Sequence, residues 1–336
     1  MQAFAALIDG LIYTRSRDLK IRLIADYLRI TPDPDRGWAL AALAGTLNIA
    51  TVKSAAIRAM AEERFDPMLF RMSRDYVGDT AETVALMWPD NSGGDVAPTV
   101  SEVIDLLNST SRARAPVVLA ELMDRLDANG RYALLKLATG GMRVGISARL
   151  AKTAFGQAFG VSVDDVEEVW HALRPPYAEL FAWGEGRTER PDPADSAFFR
   201  PFMLAHPLED GSVHLDEFVA EWKWDGIRIQ IASTGGETRL FSRGGDEVTG
   251  AFPEIAAAFN GVGVVDGELL VRGDVQGGEA ASFNALQQRL GRKNVTAAMQ
   301  AEYRVFVRLY DILFDGAEDL RSQPWTARRD RLELFT

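Results

Sequence analysis

The sequence predicts a multidomain chain, with an all-α domain followed by an α+β domain that has a mainly antiparallel sheet. In the first half, apolar residues recur at the period of amphipathic helices, as in Leu19, Leu23 and Tyr27. From Phe202 onward, runs of β-branched and aromatic residues alternate with short helical patterns. Between the two halves, residues 184–196 are polar and contain two prolines and two glycines, which is typical of a linker.

The positions of the individual helices and strands are predicted from the same patterns of apolar residues. We expect a helical domain over 1–183, a linker over 184–200 and the α+β domain over 201–336. Helices are predicted around 19–28, 38–45, 54–62, 98–107, 116–126, 162–173, 252–259, 283–290 and 325–335. Strands are predicted at 217–222, 227–232, 238–242, 262–271 and 304–314.

Composition narrows the class of protein. The chain has 336 residues, a net charge of −11 and no cysteine, so a disulfide framework or thiolate metal site is excluded. Residues 1–175 carry 20 basic and 22 acidic side chains, and residues 176–336 carry 17 and 26. A nucleic-acid contact would therefore rely on local basic patches of the near-neutral half. With no apolar run long enough to span a bilayer, we expect a cytoplasmic monomer without a membrane partner.

A lysine between two tryptophans, followed by Asp-Gly, marks the first candidate site. The run Glu221 to Arg228 reads Glu-Trp-Lys-Trp-Asp-Gly-Ile-Arg, and the alternation on both sides predicts strand, tight turn, strand. Lys223 would then end a strand between bulky apolar groups. Partial desolvation or a neighbouring cation such as Arg228 favours the uncharged amine, which is the nucleophilic form. The plain alternative is an ordinary lysine before a hairpin.

A second candidate lies in the helical half. Residues 131–149 place Arg131, Lys136, Arg143 and Arg149 around the glycines at 140, 141 and 145. A glycine-broken junction between helices exposes backbone N–H groups that attract phosphate, so these four residues are candidate DNA-binding residues. The alternative is a helix–turn–helix corner with solvated arginines.

Four further patterns follow Lys223 in a fixed order. They are Phe-Ser-Arg-Gly-Gly at 241–245, Asp-Gly-Glu-Leu at 266–269, Tyr-Asp-Ile-Leu at 310–313 and Pro-Trp with three arginines at 324–331. The histidines at 171, 206 and 214 share no metal-ligand spacing and receive no role.

The run at 221–228 and the first three of these patterns resemble, in that order, motifs I, Ia, III and IIIa of the covalent nucleotidyltransferases, specifically the ATP-dependent DNA ligases. Residues 200–205 are similar to the Pro-Met-Leu-Ala segment that leads into the adenylation domain of that family. Residues 137–145 resemble the Leu-Arg-Ile-Gly signature of its helical DNA-binding domain. The resemblance covers most of the chain.

The resemblance implies a role for each candidate. Lys223 would attack the α-phosphorus of ATP and carry AMP as a phosphoramidate, and AMP would then pass to the 5′-phosphate of nicked double-stranded DNA. Glu221 would recognise adenine, and Tyr310 would stack on it. Arg228 and Arg243 would contact ribose and phosphate oxygens. Glu268 would hold the ribose or a Mg²⁺ ion, since hard cations take oxygen ligands.

The chain departs from the family pattern at its C-terminus. The family continues with motifs IV, V and VI and an OB-fold, and none of these follows residue 336. We therefore expect an incomplete adenylation domain whose sheet has an exposed edge, weak or absent self-adenylation and no nick sealing. Three alternatives stay open: an RNA ligase or capping-type nucleotidyltransferase, a non-catalytic DNA-binding module, and a helical protein-interaction domain.

Overall fold

The chain separates into two compact units, Met1–Pro191 and Asp192–Thr336. The computed structural model describes residues 1–49, 51–89, 96–142, 144–192, 197–205, 218–273, 283–290, 292 and 295–335. The division falls inside the predicted linker.

The first unit is helical. Its helices are α1 (Gln2–Tyr13), α2 (Arg17–Ile30), α3 (Asp35–Leu43), α4 (Ser54–Arg64), α5 (Pro67–Val77), α6 (Thr80–Met87), α7 (Val100–Ser109), α8 (Ala115–Asp124), α9 (Ala128–Thr139), α10 (Ala148–Phe159), α11 (Val163–Trp170) and α12 (Ala178–Gly184). One apolar core joins them, with Phe4, Leu40, Leu134 and Phe155 fully buried. Much of this unit's stability therefore comes from packing of apolar helix faces.

Local sequence signals set the helix ends. The Ser16 hydroxyl accepts the backbone N–H of Leu19 at the start of α2, and Ser162 does the same for Asp164 at the start of α11. Gly140 has a φ of 69° at the end of α9, in the left-handed region that glycine adopts without strain. Since α9 ends at Thr139 and α10 begins at Ala148, the predicted glycine-containing junction between two helices is confirmed.

The second unit contains an antiparallel sheet of five strands in the order β2-β1-β3-β4-β5. The strands are β1 (Ile227–Ser233), β2 (Thr238–Ser242), β3 (Gly263–Val271), β4 (Val305–Asp315) and β5 (Glu318–Asp319). Its helices are α13 (Pro253–Ala258), α14 (Phe283–Gln287), α15 (Ala297–Glu302) and α16 (Trp325–Phe335). The helical first part and the antiparallel sheet agree with the predicted fold class.

The two faces of this sheet have different neighbours. Ile229, Ile231 and Val265 lie in the larger core, which includes Phe252, Leu286 and Leu332 from the helical side. Phe241, Leu313 and Phe314 form a smaller cluster with Ala197 and Phe199 of the segment that precedes the sheet. Because side chains alternate along a strand, residues between the isoleucines of β1 face this second side, where the candidate site lies.

One predicted strand is wrong. Residues 218–222 have no regular structure, and β1 begins only at Ile227. The pairing explains the difference, because Ser242, the last residue of β2, lies opposite Ile229, and pairing with β3 starts at Ile227. The residues before Ile227 have no paired residue in β2 or β3, so their alternating apolar pattern is not sufficient to form a strand.

Candidate active site

Strand pairing brings the downstream motifs together. Arg228 of β1 lies opposite Glu268 of β3, and Glu268 lies opposite Arg308 of β4. Two register shifts interrupt the β3–β4 ladder, between Val264 and Val265 and between Asp266 and Gly267. Such irregularities re-aim side chains locally. Residues that are distant in the sequence therefore meet at one end of β1.

The turn that carries Lys223 is attached to this end of the sheet. The backbone N–H of Gly226 donates to Glu268 Oε1 at 3.2 Å. A Cβ at residue 226 would lie 2.4 Å from the carbonyl oxygen of Leu269, so only glycine fits the turn without displacement. The Asp-Gly pair predicted from the sequence thus fixes the chain directly after Lys223.

Lys223 itself is exposed, contrary to the expectation of bulky apolar flanks. Trp222 is 84% exposed, and its ring centroid lies 6.4 Å from that of Trp224. Trp224 packs under the guanidinium of Arg308, which lies 4.1 Å from its ring centroid. Only one of the two tryptophans is held against the sheet.

Glu268 has a mixed electrostatic environment. Burial raises its pKa above the ordinary value, and the hydrogen bond from Gly226 and the positive charges of Arg228 and Lys223 oppose that rise. The pairing of Arg228 with Glu268 and the hydrogen bond from Gly226 to Glu268 bring Arg228, Glu268 and the turn after Lys223 together.

Arg228 is held on both sides. Its Nη2 donates to Asp266 Oδ2 at 2.9 Å and to the carbonyl oxygen of Met203 at 3.2 Å. The guanidinium carbon lies 4.1 Å from the Phe202 ring centroid and 5.6 Å from that of Tyr310. Arg228 Nε is buried and has no hydrogen-bond partner among the described residues. This arginine forms the centre of the site.

Tyr310 lies on the same face of the sheet. It is half-buried in β4, and burial raises the pKa of its hydroxyl above the ordinary value. The phenol stays neutral at physiological pH, so the ring offers an uncharged aromatic surface beside Arg228. A ring in this position could stack on a planar base.

The two other predicted nucleotide contacts are exposed. Glu221 lies in the irregular segment before β1, and Arg243 follows Ser242 at the end of β2. Since Ser242 lies opposite Ile229, Arg243 leaves the sheet at the same end as the Lys223 turn. Among the described residues, neither side chain forms a hydrogen bond or ion pair with Glu268 or Arg228, so both roles stay predictions.

Sequence reasoning missed two residues of this face, Asp266 and Gln230. Both are fully buried, and Gln230 Nε2 donates to Asp266 Oδ1 at 3.0 Å. Burial raises the pKa of Asp266 to about 6, and the hydrogen bonds from Gln230 and Arg228 oppose the rise. The available signal was a polar residue in the middle of each apolar strand, but only the register shows that they are partners.

Two of the four residues predicted to bind DNA are buried, and they do not lie on a surface. Arg131 is 2% exposed and donates to the carbonyl oxygens of Met123 and Trp88. Lys136 donates to Asp79 at 2.5 Å. Almost all of α9 is buried, so its charged side chains pair internally. These positions do not fit a phosphate-binding role.

The other two residues predicted to bind DNA are Arg149 and Arg143. Arg149, on α10, has a side chain that is 68% exposed and lies 3.5 Å from Asp164. Arg143 lies outside the described residues. Lys20 Nζ donates to the carbonyl oxygens of Val144 and Gly145, so α2 holds the loop that precedes α10. An exposed cation at the start of α10 remains compatible with a phosphate contact.

The described residues contain no group of three or more histidine, aspartate or glutamate side chains arranged to hold a metal ion. Within the described ranges, no helix is both long and apolar enough to cross a membrane.

Comparisons with known proteins match the second unit to one protein family. The ATP dependent DNA ligase domain family matches residues 202–336. A probable DNA ligase of Koribacter versatilis is 27% identical over 99% of this chain and 60% of its own length. A DNA ligase of Haloarcula marismortui is 30% identical over 72% of this chain and 46% of its own length. The chain thus spans about half to three fifths of these relatives.

Among solved structures, a mycobacterial DNA ligase D complexed with ATP and MES is 31% identical over 34% of this chain and 35% of its own, with a TM-score of 0.27. The family match covers every residue of the site built around Arg228 and Glu268. Residues 202–336 therefore match the ATP dependent DNA ligase domain family, and the chain is similar in sequence to curated DNA ligases.

Proposed function

We propose that the site performs the first step of ATP-dependent DNA ligation, the transfer of AMP from ATP to Lys223. One observation carries the proposal. The pairing of Arg228 with Glu268, together with the Gly226–Glu268 hydrogen bond, places the lysine turn, a carboxylate and an arginine at one end of the sheet beside Tyr310. A nucleophile, a cation for phosphate and an aromatic ring for the base are the parts that this chemistry requires.

The exposed Lys223 ammonium gives one proton to solvent water, and its Nζ lone pair attacks the α-phosphorus of ATP. The second proton, shed by the nitrogen as the phosphoramidate forms, also goes to water. An N–P bond forms, and the bond from that phosphorus to the bridging oxygen of pyrophosphate breaks, with the electron pair leaving on that oxygen. The exposure of Lys223 gives a nucleotide direct access to Nζ. Arg228 would neutralise phosphate charge as it redistributes.

The other site residues would position the nucleotide. Tyr310 would stack on adenine, Glu221 would bind its edge, and Arg243 would contact ribose or phosphate oxygens. Glu268 fits a Mg²⁺ ion that keeps water and phosphate ligands, since such ions need only one or two protein carboxylates. A bound Mg²⁺ would supply charge neutralisation at the phosphates. Glu268 would hold it while accepting the Gly226 N–H.

The later steps involve nicked duplex DNA and belong to the same proposal. AMP would pass from Lys223 to a 5′-phosphate, and the adjacent 3′-hydroxyl would displace it, as in the repair and replication roles typical of the family. In the helical unit, exposed Arg149, Arg112 and Arg114 are the residues we propose for phosphate contacts. The buried Arg131 and Lys136 are excluded from this set.

The experiment is incubation of the chain with α-³²P-ATP and Mg²⁺, followed by denaturing gel electrophoresis. We expect weak covalent label on the wild type, none on Lys223→Ala, and none on Lys223→Arg, which keeps the positive charge. Lys53→Ala, a lysine of the helical unit, is the control and should label like the wild type. Absence of label on the wild type contradicts the proposal. Salt-sensitive binding to nicked duplex without label would favour the non-catalytic DNA-binding module.

A further inference from the structure

Gln230 is fully buried, and its side-chain amide connects the two groups that accept hydrogen bonds from Arg228. Gln230 lies on β1, two residues after Arg228, so both side chains leave the same face of the sheet. It is 0% exposed, and its amide makes three hydrogen bonds within this unit.

The first two bonds hold the segment before the sheet. Gln230 Oε1 accepts the backbone N–H of Arg200 at 2.6 Å, and Nε2 donates to the carbonyl oxygen of Arg200 at 3.0 Å. The side-chain amide thus pairs with residue 200 as a neighbouring strand would. The guanidinium of Arg200 lies 3.9 Å from the Phe198 ring centroid and 4.4 Å from that of Phe314, which fixes this segment further.

The third bond holds the carboxylate. Gln230 Nε2 also donates to Asp266 Oδ1 at 3.0 Å, while the other oxygen of Asp266 accepts Arg228 Nη2. Three residues beyond Arg200, the carbonyl oxygen of Met203 accepts the same Nη2. Gln230 therefore fixes one acceptor of Arg228 directly and the other through a short stretch of backbone.

From this arrangement we propose that Gln230 is a positioning residue for nucleotide transfer, and that it acts by fixing the orientation of the Arg228 guanidinium. The inference rests on the proposed function for its catalytic consequence, although the positioning itself does not depend on it. Without the amide, Asp266 loses a donor and the segment at 200–203 loses its anchor. Arg228 then rotates between orientations, and transfer slows because the cation is no longer held against the phosphate position.

The direct test is nuclear magnetic resonance of the whole chain labelled with ¹⁵N-arginine. The Arg228 guanidinium signals are assigned by their loss in Arg228→Lys. In the wild type we expect resolved Nη–H signals, which indicate restricted rotation. In Gln230→Met, which keeps the side-chain length without the amide, these signals should merge. Ile231→Val changes the same strand on its other face and should leave them resolved.

Unchanged Arg228 signals in a folded Gln230→Met protein would overturn the proposal. If Gln230→Met does not fold, Gln230→Asn serves instead, because its amide is one methylene too short to reach Arg200 and Asp266 together. Again, merged signals support positioning by Gln230 and resolved signals contradict it. The circular dichroism spectrum of each variant establishes whether it is folded.

The rate of label transfer from α-³²P-ATP gives the catalytic consequence. We expect Gln230→Met to slow labelling roughly tenfold in the wild-type background and to have no further effect in the Arg228→Lys background. Equal slowing in both backgrounds would show that Gln230 does not act through Arg228. If the wild type takes no label, the proposed function fails, while the resonance measurement still decides whether Gln230 positions Arg228.

Discussion

Each unit contains a partly buried ion pair, and the two pairs differ in what surrounds them. In the helical unit, Lys136 pairs with Asp79, which also accepts the backbone N–H groups of Ala81 and Glu82. In the sheet unit, Arg228 pairs with the fully buried Asp266, and the guanidinium also faces two aromatic rings. The first pair closes a helix cap, and the second supports a site.

The pKa values of the two carboxyl groups move in opposite directions. Burial alone would raise the pKa of Asp79, but the hydrogen bonds from Lys136 and two backbone N–H groups hold it below the ordinary value. Burial dominates at Asp266 and raises its pKa to about 6. A buried charge is therefore not by itself a sign of function, since the side chain of Lys136 is 8% exposed and pairs within the fold, whereas that of Arg228 is 22% exposed beside Tyr310.

Removing the cation of the site pair should have the largest effect. Arg228→Met leaves Asp266 buried without its counter-ion, so we expect a loss of about 3 kcal/mol in the free energy of unfolding. Labelling by α-³²P-ATP should fall on the order of 10²-fold because a cation at the phosphates is lost. Urea unfolding and labelling rates measure the two effects. Wild-type labelling in this variant would remove Arg228 from the proposed site.

Removing the cation of the structural pair should affect only stability. Lys136→Met leaves Asp79 with its two backbone donors, and we expect a loss of about 2 kcal/mol, somewhat less than for an unpaired buried charge. Urea unfolding at pH 7 gives the value, and the labelling rate should equal that of the wild type. A stable Lys136→Met protein with weak DNA binding would instead restore Lys136 as a DNA contact.

The pH dependence of stability should separate the two carboxyl groups. The folded-state pKa of Asp266 lies above the unfolded value of 3.8, so folded protein binds the proton more tightly. Its contribution to stability therefore increases as pH falls from about 6 towards 4. Asp79 behaves oppositely, and its contribution is lost only as pH falls below its unfolded value of 3.8.

The contribution of Asp266 to stability can be measured as the protection of the backbone amides of β3 against hydrogen exchange, corrected for intrinsic exchange rates. Asp266→Asn should remove the increase in protection between pH 6 and 4, while Asp79→Asn should leave it in place. If the protection of Asp266→Asn still changes with pH as in the wild type, another group titrates in this range.

The smallest effect is expected at the surface of the helical unit. Arg149→Ala should weaken binding to nicked duplex a few-fold and lower the slope of log affinity against log salt by about 1, because one phosphate contact is lost. Stability should not change, since the side chain is largely exposed. Arg22→Ala, another exposed arginine on this unit, provides a comparison. Equal effects of the two would argue against a localised DNA surface at the start of α10.

The sequence predicted the elements better than the partners of the side chains. Four of the five predicted strands appear within a residue or two of their expected bounds, because alternating apolar residues report a half-buried sheet. Residues 218–222 failed because alternation does not reveal where neighbouring strands end. The short helix α15 and the two-residue strand β5 lacked a pattern long enough to recognise.

For the candidate site too, the sequence predicted local structure better than side-chain partners. Asp-Gly predicted the turn after Lys223, and the glycine is required by the close approach of Leu269. The burial of Arg131 and Lys136 was missed, although the apolar residues on all sides of α9 pointed to a buried helix. The Gln230–Asp266 pair depends on strand register, which single-residue patterns do not determine.

Lys223 is the residue that we propose receives AMP. The most direct measurement is peptide mass mapping after incubation of the chain with ATP and Mg²⁺. We predict an adenylyl group on the peptide that contains Lys223 and on no other lysine, and its loss in Lys223→Arg. An adenylyl group elsewhere, or an unmodified chain under conditions in which ATP binds, would contradict the account.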